Sequence, residues 1–281
     1  MAKITRRNFL KTTAVLSTLP LMAKEKEVST KEVLRFIHVT DSHMDLQDEE
    51  SVDAIALMVE VINKNYKDLD FVLFGGDNFN NNVAGNKDAV KFKELISQLH
   101  CPSYLVRGNK ESSPKPDASI NLAEFKSLFM ADKALKVQGH DWVFEKKGYQ
   151  ILGLDSCIEQ KSNGLYTEET MAFAKTALKS GKPTVILNHH PYTNYWGGTE
   201  EKDIHKYVLG NTKEVQKEIF TADNLLLTLS GHKHIDSISE ISGTKVIVTR
   251  GFVRPLDLEQ YPMRYVEISD NKITDKLIYT A

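Results

Sequence analysis

Cysteine is scarce in this sequence: Cys101 and Cys157 are the only two among 281 residues. Neither a disulfide-stapled scaffold nor a zinc site built from thiolates can therefore organise the fold. The two thiols lie far apart in sequence, and the sequence leaves open whether they pair or stay free. No catalytic thiol is expected.

An excess of charge of one sign is also missing. The chain has 36 Lys and Arg against 38 Asp and Glu, for a formal net charge of -2. It therefore lacks the global basic field of nucleic-acid-binding proteins, and no stable nucleic-acid partner is expected. Small anionic ligands are not excluded, because a metal site supplies local positive charge that composition does not reveal.

The apolar run near the start, Thr12 to Ala23, is shorter than the roughly 20 residues that cross a membrane. It follows a basic stretch that contains Arg6 and Arg7. A basic start, a short apolar run and a small final residue are the parts of a secretory signal. The paired arginines followed by Phe-Leu-Lys resemble a twin-arginine signal. Residues 1–23 are thus predicted to be an export signal, with the twin-arginine machinery as partner and the bacterial periplasm, or another extracytoplasmic space, as destination. A basic start to an ordinary helix is the alternative.

No internal repeat and no Pro/Ser linker divides the rest, so residues 24–281 are predicted to form a single domain. Strand-like runs alternate with stretches of helical periodicity, which predicts a layered α/β fold. The predicted helices are Ser51–Asn65, Asp88–Leu99, Asn121–Met130, Glu168–Lys179 and Thr212–Phe220. The predicted strands are Leu34–Val39, Phe71–Phe74, Tyr104–Arg107, Trp142–Lys147, Tyr149–Leu154, Thr184–Leu187, Leu225–Leu229, Lys245–Val248, Arg264–Ile268 and Lys272–Tyr279. Hairpin signals in the middle and the tail add antiparallel strands, so the sheet is predicted to be mixed or split in two.

Five of the apolar runs end just before side chains that bind metals. These side chains are Asp41 and His43, then Asp77, Asn109, His189, and finally His232 and His234. Strands that are apolar throughout are buried on both faces, so their chemistry sits at their ends. In open α/β sheets, ligands bind outside the carboxyl ends of the strands. Glycines stand beside three of the five ends, at Gly75-Gly76, Gly108 and Gly231, and are expected to permit sharp turns there.

The types of these side chains predict divalent ions. Carboxylates, imidazoles and one amide oxygen suit Mn, Fe, Co or Zn, and the sequence does not choose among them. Seven ligands exceed the four of a closed tetrahedral site. Two ions that share a bridging carboxylate account for the excess, and Asp77 is the predicted bridge. Two ions about 3.5–4 Å apart suit in-line displacement at phosphorus.

The order D-x-H, G-D-N, G-N, H-H-P, G-H-x-H resembles the calcineurin-like metallophosphoesterase family, including its cyclic-nucleotide and glycerophosphodiester phosphodiesterase branches. The resemblance implies a four-layer αββα sandwich of two mixed sheets with the metal site at the carboxyl ends of strands. It implies hydrolysis of a small-molecule phosphomonoester or phosphodiester. By this similarity the first ion is held by Asp41, His43, Asp77 and His234. The second is held by Asp77, Asn109, His189 and His232.

One position departs from the family pattern. The family has Gly-Asn-His where this chain has Gly108-Asn109-Lys110, and the family's histidine approaches the scissile phosphate and the leaving group. A lysine still stabilises phosphoryl charge, but it holds its proton until about pH 10 and is a weaker acid catalyst near neutrality. Asn109 and Lys110 are the predicted catalytic pair. The alternative is a metal- and phosphate-binding protein of the same fold with attenuated catalysis.

The remaining candidates have weaker support. His190 is predicted to orient its neighbour or touch substrate, and Tyr192, Tyr195 and Trp196 to wall the pocket or to pack in their own loop. Arg250 and Arg254 are candidate phosphate ligands. His38 is predicted to pack within its strand, whereas His100, His140 and His205 are expected at the surface. Taken alone, each metal motif has an ordinary reading as a turn, a core histidine or a solvated loop.

Overall fold

A computed structural model describes residues 32–112, 120–193, 207–253 and 261–280. The helices in these ranges are α1 (Glu49–Asn65), α2 (Lys87–Ile96), α3 (Leu122–Phe129), α4 (Glu168–Leu178) and α5 (Thr212–Glu218). The strands are β1 (Leu34–Val39), β2 (Phe71–Phe74), β3 (Ser103–Leu105), β4 (Lys136–Gln138), β5 (Asp141–Lys146), β6 (Tyr149–Gly153), β7 (Thr184–Leu187), β8 (Leu225–Ser230), β9 (Ser237–Ile241), β10 (Thr244–Val248), β11 (Pro262–Ser269) and β12 (Lys272–Tyr279). The predicted signal at residues 1–23 lies outside the described residues.

Two mixed sheets organise the strands. The first runs β12-β11-β1-β2-β3, with β1, β2 and β3 parallel and β11 antiparallel to β1. The second runs β4-β5-β6-β7-β8-β10-β9, with a parallel centre from β6 to β10 and antiparallel strands at both edges. The predicted fold class of two mixed sheets in a layered α/β protein is confirmed.

Side-chain alternation along the strands produces the layers. In β7, Val185 and Leu187 join a core that also contains the buried faces of α1, α2, α3 and the first sheet, whereas Ile186 between them joins a second core with residues of α4 and α5. Successive side chains of a strand point to opposite faces. The second sheet is therefore covered by the first sheet on one face and by α4 and α5 on the other.

Two edge strands were not predicted, β4 and β9. The three residues of β4 are all exposed, and β9 has the sequence SISEI with no fully buried residue. Short, polar edge strands protect a sheet from pairing with other chains. The same polarity removes the apolar alternation on which a prediction from sequence depends.

Side chains cap the N-terminal ends of two helices. Asn121 and Thr167 precede α3 and α4, and their side-chain oxygens accept hydrogen bonds from the main-chain N–H groups of Glu124 and Thr170. Such caps satisfy amide groups that have no partner inside the helix. Among the described residues, no helix is both long enough and apolar enough to cross a membrane.

Candidate metal centre

The seven predicted ligands converge where the parallel strands of both sheets end. Nε2 of His234 lies 3.2 Å from Oδ1 of Asp41 and 3.1 Å from Nε2 of His43. Nε2 of His189 lies 3.1 Å from Nδ1 of His232 and 3.3 Å from Oδ1 of Asn109. These distances define two groups of ligands, one around Asp41 and one around His189.

Asp77 stands between the two groups. Its Oδ2 lies 3.8 Å from Nε2 of His43, in the first group, and its Oδ1 lies 3.5 Å from Nε2 of His189, in the second. The side chain is almost fully buried. One carboxylate therefore offers an oxygen to each group, as a bridging ligand must.

Hydrogen bonds fix the proton on two of the histidines. Nδ1 of His43 donates to Oδ1 of Asn80 at 3.1 Å, and Nδ1 of His189 donates to the carbonyl of Gly75 at 2.9 Å. Asn80 is itself held by the bond from its amide nitrogen to Asp45. When one ring nitrogen carries the proton, the other presents a lone pair, which is how metal-binding histidines are oriented in proteins. Nε2 of both histidines is thus available for an ion.

Hydrogen bonds also orient the carboxylate of Asp41. Its Oδ2 accepts hydrogen bonds from the Thr40 hydroxyl at 2.7 Å and from the main-chain N–H of His232 at 2.8 Å. Its Oδ1 is buried and accepts no hydrogen bond within the described ranges. Burial alone would raise the pKa of Asp41, but the neighbouring His234, His189 and His43 outweigh burial and hold that pKa below its usual range.

The backbone is left-handed at five of the seven ligands. The φ angles are 54° at Asp41, 45° at His43, 50° at Asp77, 67° at His232 and 57° at His234. Positive φ is uncommon for residues other than glycine, although Asn, Asp and His adopt it more readily than most. Conformations of this kind cluster at functional sites, where the surrounding structure holds them.

Two glycines next to the ligands serve a purpose other than the predicted sharp turn. Gly108 and Gly231 do not have positive φ. A Cβ at Gly108 would collide with the main chain and carboxylate of Asp77, and one at Gly231 would collide with the side chains of Thr40 and Asp41. The reason for glycine at both positions is close approach of the backbone to a ligand.

Divalent ions fit these residues. The buried Oδ1 of Asp41 lacks a hydrogen-bond donor, and Nε2 of His43 and Nε2 of His234 lie only 3.1 Å apart, so that ligand atoms of three side chains converge. Three sets of ligand atoms, His189 with His190 and His232, Asp41 with His43 and His234, and Asp41 with Asp77 and His189, each lie within 4.8 Å of one another. All the donors are oxygen or imidazole nitrogen, the ligands of hard to borderline divalent ions.

Comparison with known proteins agrees with this geometry. The family model of calcineurin-like phosphoesterases matches residues 34–236, a stretch that spans all seven ligands. The chain belongs to the calcineurin-like phosphoesterase family. Membership supports phosphoester hydrolysis as the activity and implies divalent metal ions, for which the residues above are candidate ligands.

Individual relatives are distant. A probable glycerophosphodiester phosphodiesterase, GpdQ, of Arcobacter nitrofigilis is 27% identical over 182 residues, 64% of this chain and 61% of the relative. A dimetal phosphatase from Danio rerio has a TM-score of 0.61 at 13% identity, covering 88% of this chain and 99% of that one. A purple acid phosphatase from yellow lupin seeds has a TM-score of 0.64 at 12% identity, covering 89% and 52%. At such low identity the two solved structures show the fold alone.

A residue next to the predicted catalytic pair was missed. Glu111 is fully buried, and its carboxylate accepts hydrogen bonds from the main-chain N–H groups of Gly108, Asp77 and Asn78 at 2.7, 3.0 and 2.7 Å. Burial and the nearby charge of Asp77 raise the pKa of Glu111 to about 7, while the N–H groups oppose the rise. One side chain thus ties the G-D-N segment to the G-N segment.

An ion pair behind the second group was also missed. Both Nε and Nη2 of Arg107 donate to Oδ2 of Asp155, at 3.1 and 2.5 Å, and both side chains are buried. The side chain of His140 is 35% exposed, as expected of a residue near the surface, and its Nδ1 lies 2.5 Å from the same carboxylate oxygen. The burial of Asp155 would raise its pKa, yet its bonds to His140 and Arg107 keep that pKa below the usual value. Arg107 precedes Gly108 directly, so the pair anchors the loop that carries Asn109.

A second buried arginine supports the first group. Arg264 in β11 is 2% exposed and contacts Asp236, two residues after His234, and Asp275 in β12. The arginine Nε lies 3.4 Å from the Thr249 hydroxyl, which in turn lies 3.0 Å from Nδ1 of His38. The predicted packing role of His38 agrees with its full burial in β1.

Two further candidates, His190 and Tyr192, are buried and contact other side chains. His190 contacts Ser156 through Nδ1 at 2.8 Å and the carbonyl of Ser162 through Nε2 at 3.3 Å, and its ring packs on His232 with centroids 4.4 Å apart. His190 therefore supports the ligand His232, and each of its own ring nitrogens has a hydrogen-bond partner. Tyr192 is fully buried, with its hydroxyl 2.6 Å from that of Tyr166, so it packs rather than walls a pocket.

The remaining predicted residues lie at the edge of the site or beyond the described ranges. Arg250 donates from Nη1 to the hydroxyl of Tyr279 at 2.9 Å, and its phosphate-binding role stays a prediction. His100 is exposed, as expected. The described ranges do not include Tyr195, Trp196, His205 and Arg254.

Proposed function

We propose that the protein hydrolyses small-molecule phosphoesters with two divalent ions held between its two sheets. The observation that carries the proposal is the position of Asp77, whose two oxygens face two different groups of nitrogen and oxygen ligands. The first group is Asp41, His43, Asp77 and His234, and the second is Asp77, Asn109, His189 and His232. When bound, a pair of divalent ions lowers the pKa of a water molecule and withdraws charge from phosphoryl oxygens.

The residues of this chain would orient the substrate and the ions. Buried ligands whose second nitrogen or oxygen is fixed by Asn80, Gly75 or Thr40 need no rearrangement to bind. Preorganised polar groups of this kind are the main source of electrostatic stabilisation in enzymes. Asn109 is partly exposed at the edge of the second group and can contact both an ion and a phosphoryl oxygen.

Lys110 is proposed to stabilise charge that develops on the phosphoryl group. Its main-chain N–H donates to Oδ1 of Asp77 at 2.7 Å, which fixes the start of its side chain beside the bridge. Its side chain is half-buried, and among the described residues its ammonium group contacts no carboxylate. An ammonium group in this position attracts an anionic substrate.

Two assays test the proposal. The protein loaded with Mn should turn over bis(p-nitrophenyl) phosphate or p-nitrophenyl phosphate, and Asp77→Ala should not. The pair of substrates also separates diesterase from monoesterase activity. A glycerophosphodiester belongs in the same panel because the Arcobacter relative is a probable glycerophosphodiester phosphodiesterase. Turnover no higher than that of Asp77→Ala would instead favour a metal- and phosphate-binding protein.

Lys110→Ala separates the role of the lysine from that of the metal ligands. The variant should keep its metal content and hydrolyse more slowly, because it loses a cation near the phosphoryl group. Lys110→Arg, which keeps the charge, serves as the matched control. Equal rates for wild type and Lys110→Ala would show that the lysine is a bystander.

We also propose export through the twin-arginine route, on the sequence of residues 1–23. Arg6→Lys with Arg7→Lys should trap the precursor inside the cell, because the receptor reads the arginine pair as an address. Fractionation of cells that express either form measures the outcome. Continued export of the double variant would point to another route.

A further inference from the structure

The ring of Tyr207 lies beside a ligand of the second group and is 40% exposed. Its centroid is 5.8 Å from that of His232, with 47° between the ring planes. Nδ1 of His232 in turn lies 3.1 Å from Nε2 of His189. This tyrosine is therefore next to a candidate ligand of the second ion.

The backbone that carries Tyr207 is held in place. The next two residues, Val208 and Leu209, are buried. The N–H of Leu209 donates to the carbonyl of Pro191 at 2.9 Å, and the N–H of Gly210 donates to the carbonyl of Gly164 at 2.8 Å. An anchored main chain with an exposed ring is suited to contact a ligand, because little order is lost when the ligand binds.

The reaction chemistry indicates what that ligand is. In a two-metal site the phosphoryl oxygens face the ions, so the organic group on phosphorus must project away from them. His190, whose ring centroid lies 4.4 Å from that of His232, is buried, whereas Tyr207 beside the same ligand is 40% exposed. Among the residues that the structure describes, the partly exposed ring of Tyr207 offers an apolar surface beside this ligand.

The geometry points to Tyr207 as a specificity-determining residue that packs against an aromatic or heteroaromatic group bonded close to the phosphorus. This inference rests on the proposed function, because it needs a phosphoryl group held at the two ligand groups. It narrows the substrate class to phosphoesters that carry a planar ring, in preference to esters of small alkyl groups. The contact selects the substrate and takes no part in the chemistry of hydrolysis.

Binding of two phosphonates tests the inference without relying on turnover. Phenylphosphonate and methylphosphonate carry the same charged head and differ only in the ring, and neither has an ester bond to P that could be hydrolysed. Calorimetric titration of the Mn-loaded full chain should give a dissociation constant about 2- to 12-fold lower for phenylphosphonate, the range that an aromatic pair supplies. Tyr207→Phe should keep this preference. Tyr207→Ala should lose it while its affinity for methylphosphonate and its Mn content stay unchanged.

The outcomes separate this inference from the proposed function. Equal affinity of the wild type for both phosphonates, or an unchanged preference in Tyr207→Ala, would overturn the assignment to Tyr207 while leaving metal-dependent hydrolysis intact. Failure of both phosphonates to bind the Mn-loaded protein would count against the phosphoryl site itself, and the inference would fall with it.

Discussion

The carboxylate of Glu111 accepts a hydrogen bond from the main-chain N–H of Asp77 at 3.0 Å, while the side chain of Asp77 faces the histidines. The buried glutamate thus fixes the backbone of the proposed bridging ligand. It also accepts bonds from the N–H groups of Gly108 and Asn78. The loops that follow β2 and β3 are therefore both held by the side chain of Glu111.

Glu111→Gln should therefore weaken metal binding and destabilise the fold. The glutamine amide has one acceptor oxygen in place of two, so its NH₂ group would face main-chain donors. Each buried donor left without an acceptor costs about 1–3 kcal/mol. Urea unfolding and calorimetric titration with Mn measure the two effects. Glu94→Gln, at an exposed glutamate that pairs with Lys91, is the matched control and should behave like the wild type. Wild-type Mn affinity in Glu111→Gln would contradict the expectation.

The bridging position of Asp77 predicts an asymmetry between two ligand variants. Asp77→Asn removes a carboxylate that faces both groups, so it should lower the affinity for both ions. Asn109→Ala removes a ligand from the second group only, and one equivalent should remain tightly bound. Metal analysis after dialysis counts the equivalents, and Asp53→Asn, exposed on α1, controls for loss of surface charge. Loss of the same single equivalent from both variants would argue against a bridge.

The sequence was sufficient to predict the layered fold and to select the candidate ligands that the structure brings together, because both follow from local patterns. Asp41, His189 and His232 each follow an apolar run, and the carboxyl ends of parallel strands meet at one edge. Their supports could not be predicted in this way. Arg107 and Asp155 are 48 residues apart in sequence, and only the pairing of strands brings them together.

The hydrogen-bond partners of His140 could not be predicted either. Nothing near it in sequence suggests a partner, and Asp155 and Arg107 reach it from distant parts of the chain. Among the supporting residues, Glu111 is the exception, because it directly follows the Gly-Asn-Lys segment in sequence. A buried acidic residue at that point could have been suspected from the need to satisfy the N–H groups of a tight turn.

The ion pairs of Arg264 predict that a substitution at this position destabilises the protein next to the first ligand group. Arg264→Met would leave Asp275 buried without its guanidinium and would release Asp236, which lies two residues from His234. Removing one partner of a buried ion pair typically costs about 3–5 kcal/mol. We expect the lower part of that range, because Asp275 also pairs with Lys245. Unfolding by urea measures the loss.

A milder change in the same network isolates its effect on the ligands. Asp236→Asn keeps a hydrogen-bond acceptor for Arg264 but removes a charge, so the fold should remain stable. Mn affinity should fall by about 10- to 100-fold, as for other residues that orient metal ligands. Calorimetric titration measures the affinity, and Asp53→Asn is again the control. An affinity equal to that of the wild type would limit the network to a stabilising role.

The buried carboxyl group of Asp141 leads to a prediction of how the free energy of unfolding depends on pH. Its carboxyl is buried, and its Oδ1 accepts a hydrogen bond from the main-chain N–H of Asp155 at 2.8 Å. Burial raises the pKa of Asp141 to about 7 from an unperturbed value of 3.8. Between these two values the folded protein keeps the proton while the unfolded chain has lost it. Stability contributed by the protonated carboxyl is therefore fully present below about pH 4, declines as the pH rises and is lost above about pH 7.

Asp141→Asn should remove this dependence, because an amide does not titrate and its carbonyl still accepts the bond from Asp155. The difference in unfolding free energy, variant minus wild type, should rise by on the order of 2–4 kcal/mol between pH 4 and pH 8. Urea unfolding at several pH values in the presence of a chelator measures the difference, since the metal ligands then titrate alike in both proteins. Asp53→Asn should show no such rise. A flat difference for Asp141→Asn across the range would mean that the buried carboxyl is ionised well below neutral pH.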